Sequence, residues 1–89
     1  MSEVGLWTVA IGNLPLFPWL HKDIRELLKL IKGMDGFTGI FPNYPQGTLL
    51  LFDSENNAKG ARNILRFRGV ECGTNICKVL VDKKYVKGN

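Results

Sequence analysis

The sequence predicts an α+β sandwich with its elements in the order β-α-β-β-α-β. Two observations predict that order. Two segments carry apolar residues at helical spacing, and four shorter ones have the composition and alternation of strands. The helical segments stand second and fifth along the chain, which makes two split βαβ units. Such units build a four-stranded antiparallel sheet with both helices on one face. A third observation is length: 89 residues hold one core, not two. The expectation is a single domain over residues 1–89, with its core at about 6–82 and a basic tail at 83–89.

Leu6 to Asn13 is the first strand. Trp7, Val9 and Ile11 share one face, and Leu6, Thr8 and Ala10 share the other. Gly12-Asn13 ends it. Residues 14–19 form a loop, because Pro15 and Pro18 forbid regular structure. Leu20 to Lys32 is the strongest helix, with Leu20, Ile24, Leu27, Leu28 and Ile31 in one stripe. Gly33 stops it. Phe37 to Phe41 is the second strand, and a Pro-punctuated turn follows at 42–47. Thr48 to Phe52 is the third strand. Asp53 or Ser54 caps a second helix, whose stripe of Ala58, Ala61, Ile64 and Leu65 ends near Phe67. Ile76 to Val81 is the last strand. This is a ferredoxin-like arrangement, and its second sheet face is expected to lie open.

Composition bounds the function. Hydrophobic residues make up 45% and charged residues 22%, which is ordinary for a globular chain and excludes disorder. A net charge of +4 suits a polyanionic partner without requiring one. No apolar run approaches the roughly 20 residues that a membrane-spanning helix needs. The start, Met1-Ser2-Glu3-Val4, is acidic where a secretory signal would be basic. The expected setting is therefore intracellular, nucleus or cytoplasm if the source is eukaryotic, with Cys72 and Cys77 as free thiols. Those cysteines have a Cys-x4-Cys spacing, but His21 is the only histidine, so they read as ordinary residues flanking a turn. No metal or cofactor is expected. No nucleophile elbow, phosphate loop or carboxylate pair is present, so an enzyme is not expected. The loop after the first strand also lacks the arginine that a small ferredoxin-like phosphatase would place there.

Several segments in register resemble the RNA recognition motif, or RRM, family. Val9-Ala10-Ile11-Gly12-Asn13-Leu14 is similar to the family's first-strand signature of apolar, aromatic, apolar, any, Asn, Leu at every position but one. Asp23-Ile24-Arg25-Glu26-Leu27-Leu28 resembles its Asp-Leu-Arg-Glu-Leu-Phe. Leu51-Phe52-Asp53-Ser54-Glu55, with Ala58 and Ala61, resembles the end of its third strand and the helix after it. The resemblance implies an RNA-binding module in RNA metabolism. It also exposes departures. The positions of the family's three base-stacking rings fall on Ala10, Gly47 and Leu49, none of them aromatic.

Two partners follow as expectations. The first is single-stranded RNA, held weakly by Asn13, Ala10, Leu49, Leu51, Lys78, Leu80, Lys83, Lys84 and Tyr85. In this reading Leu80 and Lys78 join Ala10, Leu49 and Leu51 on the open face, and the tail lysines contact phosphates. The second is a protein, docked on the aliphatic face at Leu49 and Leu51 and on the loop residues Phe17 and Trp19. Self-association through the same sheet face is a further possibility, and so is cover by the chain's own tail through Tyr85 and Val86. Arg66-Phe67-Arg68 is expected to close the second helix, with Phe67 sealing its end and the arginines solvated.

Overall fold

A computed structural model describes residues 3–14, 20–43 and 47–86. The elements run β1 (Glu3–Ile11), α1 (Lys22–Lys32), β2 (Phe37–Asn43), β3 (Gly47–Phe52), α2 (Glu55–Phe67) and β4 (Cys77–Asp82). A short 3-10 turn, Lys83–Tyr85, follows β4. The four strands form one antiparallel sheet in the order β2-β3-β1-β4. Four antiparallel strands with two helices on one face are compatible with a ferredoxin-like fold.

The element bounds differ from the sequence expectation where tertiary pairing takes over. β1 begins at Glu3 because Glu3, Val4 and Gly5 pair with Asp82, Val81 and Leu80 of β4. Helix α1 starts at Lys22, two residues later than its apolar stripe suggests. His21 is extended there and supplies the carbonyl that accepts the Arg25 N–H at 2.9 Å. Leu20 is thus left out of the stripe and is 68% exposed. β2 runs on through Pro42, which an edge strand tolerates because the proline has no ladder partner to donate to on the solvent side.

Helix α2 matches its expected bounds because both ends are written locally. The Ser54 hydroxyl accepts the Asn57 N–H at 3.2 Å, a standard N-cap. At the other end Gly69 takes a left-handed φ of 85°. Its N–H donates to the Arg66 carbonyl at 2.9 Å, and the Val70 N–H donates to the Leu65 carbonyl at 3.0 Å. This pair of bonds is a Schellman motif, with Val70 and the buried Leu65 as its apolar contact. Gly47 also has a positive φ and lies against the backbone of β1, where a Cβ would collide with the Ile11 carbonyl oxygen.

The sheet is apolar on both sides. Val9, Ile11, Leu50 and Phe52 face the helices and bury against Ile31 of α1 and Ala58, Ala61 and Leu65 of α2. Trp7 packs at the margin of this core, as its strand parity predicts. The other face carries a second cluster built on Leu6, Leu51 and Val81, with Val4, Phe41, Leu49, Val79 and Val86 around it. A one-residue alternation in β3 therefore feeds two cores, Leu50 and Phe52 to one and Leu49 and Leu51 to the other.

Candidate functional site

The residues expected to form an open face separate into three groups. Ala10 and Leu49 are cross-strand neighbours, and Thr8 and Leu51 form the next pair along the same face. Their parity is as the alternation predicts. Their exposure is not. Leu51 is 0% exposed and Leu49 is only half-buried, so no bare aliphatic platform exists there.

The chain's own tail makes the cover. After β4 the Asp82 carboxylate accepts the Lys84 N–H at 2.9 Å, which tightens the chain into the 3-10 turn. The turn crosses the sheet from β4 and reaches β2 at the far edge. Val86 then packs onto the Leu6, Leu51 and Val81 cluster. Apolar burial drives this closure, at roughly 25 cal/mol per Å². Lys83 and Lys84 stay exposed on the outer side of the turn. Tyr85 belongs to the same turn.

β4 corrects the expectation for Lys78 and Leu80. Leu6 pairs with Val79 and Val4 with Val81, so the valines occupy the tail-covered face. Lys78 and Leu80 pair with Trp7 and Gly5 and point to the helix side. There the Lys78 ammonium lies 5.9 Å from the centre of the Trp7 ring, within cation–π range. Leu80 is 68% exposed on that side. The valine parity is the more apolar of the two, against Lys78 and Asp82 on the other; pairing with Leu6 and Val4 decided that it joins the tail-covered face. Asn13 is exposed just past the end of β1. Phe17 and Trp19 lie outside the described residues.

The opposite end of the sheet meets the loop after α2. Cys72 bridges to Ile11, and the Gly73 N–H donates to the Ala10 carbonyl at 2.8 Å. An open groove of about 640 Å³ lies here, lined by Ala10, Gly12, Arg66, Gly69, Glu71 and Cys72 among others. Arg62 donates to the Thr74 carbonyl at 2.8 Å, which holds the loop against α2. Burial pushes the Cys72 thiol above its usual range, against the opposing pull of Arg66 and Arg62. Cys72 is half-buried and Cys77 exposed, so a thiol reagent at neutral pH should label Cys77 first. Mass spectrometry of partially alkylated protein checks this, and equal labelling of both would refute it. Among the described residues, no cluster of three or more His, Cys, Asp or Glu side chains could hold a metal ion.

The sequence reading also missed two exposed groups on α2. Ile64, expected in the apolar stripe, is 44% exposed, and only Ala58, Ala61 and Leu65 of that stripe are buried. Phe67 does not seal α2 but is 92% exposed, because the Schellman turn puts Leu65 and Val70 at the helix end instead. On a helix, Phe67 stands opposite Ala58 and Leu65, so the 3.6-residue period alone could have placed it outside.

These features define a small α+β domain with a four-stranded antiparallel sheet, two helices and a self-covered second face. The chain matches no protein-family model, no curated protein and no solved structure. No helix among the described residues is long and apolar enough to cross a membrane.

Proposed function

We propose that this chain is a noncanonical RNA-binding module of the RRM type, acting in RNA metabolism inside the cell and not as an enzyme. It touches RNA by its cations rather than by stacking bases on its sheet. The observation that carries this reading is the contrast between two residue sets. Leu51, which a protein partner would need on the sheet face, is sealed beneath the tail, whereas Lys83 and Lys84, which would meet phosphates, are exposed above it. The same seal disfavours self-association through that face. A backbone contact of this kind gives affinity that tolerates sequence and falls with salt.

Titration with a pool of single-stranded RNA tests the proposal. The amide resonances of Lys83 and Lys84 should shift, while those of β1 and β3 stay still. Each phosphate contact contributes about 0.7 to the slope of log affinity against log salt, so Lys83→Ala with Lys84→Ala should flatten that slope by about 1.4. An absence of binding even at low salt would end the RNA reading.

A further inference from the structure

β4 closes one side of the sheet, and among the described residues no strand pairs with its outer edge. Such an edge offers a row of backbone N–H and C=O groups to another strand. The opposite edge, β2, is blunted. Its register shifts between Phe37 and Gly39, and Pro42 has no N–H to give. β4 carries no proline or glycine, and its register with β1 is unbroken. On the helix side it presents Lys78, Leu80 and Asp82, all exposed. The neighbour of Leu80 across the ladder is Gly5, which offers it no side chain, and Leu80 is 68% exposed.

We infer that the β4 edge pairs with the β4 edge of a second copy of this chain, antiparallel about a two-fold axis at Leu80. The segment Lys78-Val79-Leu80-Val81-Asp82 is self-complementary in that register. Leu80 meets the partner's Leu80, and Lys78 meets the partner's Asp82 at both ends. Val79 meets the partner's Val81 on the tail-covered side. A shift of two residues in either direction sets Leu80 against a charge, Lys78 or Asp82, so the register is specified. A lone lysine on an edge repels a second strand, but here each lysine faces a carboxylate. Within one chain Asp82 stands directly opposite Glu3, an exposed pair of like charges, and the partner's Lys78 brings a cation to that acidic end. In the single chain the Lys78 ammonium rests 5.9 Å from the centre of the Trp7 ring. That contact is weak at an exposed site, and the flexible stem lets the ammonium turn to the seam. The pairing ends at Asp82, where the chain leaves the strand for the 3-10 turn. This contact uses the sheet edge and leaves the sealed face closed. It stands independently of the RNA reading.

The test uses the full chain with Cys72→Ser and Cys77→Ser, so that any thiol is the one introduced. Directly opposed residues of an antiparallel pair have Cα atoms about 4.5–5.5 Å apart, a span that a disulfide bridges. Leu80→Cys in that background should therefore give a covalent dimer under oxidised glutathione. Lys78→Cys should not, because its own copy lies about four residues along the strand, roughly 13 Å away and beyond the reach of about 7 Å. A mixture of Lys78→Cys and Asp82→Cys chains should form the mixed dimer. Without oxidant, the parent should gain mass with concentration in sedimentation equilibrium, up to about 1 mM, because so short a seam makes a weak dimer. Lys78→Glu sets like charges at both ends and should weaken association at least about tenfold. Its melting should match the parent's, since the site is exposed. A parent that stays monomeric at every concentration overturns the inference. So does a dimer in which Lys78→Cys crosslinks as readily as Leu80→Cys, since that places the contact elsewhere. Neither result touches the RNA titration, and a failure of RNA binding leaves this pairing standing.

Discussion

Leu51→Asp is expected to unfold most of the protein at 25 °C. The side chain is fully buried between the sheet and the C-terminal turn, against Leu6, Val81 and Val86. Removing a buried leucine forfeits about 1.5–3 kcal/mol. Placing an unpaired carboxylate there adds several kcal/mol of desolvation. The sum rivals the whole stability of a typical domain, about 5–15 kcal/mol. The introduced carboxyl would hold its proton above the usual range, so stability should recover partly as pH falls through its raised pKa and be lost as pH rises. Urea denaturation followed by circular dichroism reads both effects. A loss below about 1 kcal/mol, the ordinary cost of a surface change, would mean that the tail does not seal the face.

Phe52→Ala should be nearly as damaging, through the other core. Phe52 is completely buried on the helix side, edge-on to Phe37 with ring centres 5.8 Å apart. Truncating a buried phenylalanine to alanine costs about 3–5 kcal/mol in lost burial and cavity formation. For a domain of this size each kcal/mol lowers Tm by about 4–8 °C, so a fall on the order of 15 °C or more is expected by thermal melting. Residues adjacent in sequence would thus report on opposite faces of one sheet. A mild effect at Phe52 with a severe one at Leu51 would reverse the relative weight of the two cores.

The closed face alters what the leucines of β3 mean. Leu49 and Leu51 read as an unoccupied platform only while the last strand and tail are considered apart from them. Once Val79 and Val81 join the same side, the face carries enough apolar surface to draw Val86 down on it. The tail turn that holds Lys83 and Lys84 is then carried over the sheet to β2.

Local chemistry was sufficient to write several features of this chain. The Ser54 cap, the glycine stop after α2, the helical stripe ending in Ile31 and the alternation of β3 all depend on neighbours a few residues away. The order of elements follows from them, and so does the absence of aromatic rings at Ala10 and Leu49. Other features had no local signature. Residues 3–5 became strand only because β4 pairs with them. In the strand Cys77–Asp82 one parity is apolar, Cys77, Val79 and Val81, and the other carries Lys78 and Asp82 around Leu80; pairing with Leu6 and Val4 decided which sheet face the valines joined. The fate of the second face rested on Val86, which is far from Leu51 along the chain and meets it only after the sheet is assembled. Short-range propensity can specify where a helix begins and which way a strand alternates. Which surface stays wet is settled by contacts between distant segments, because burial is a property of the whole packed chain.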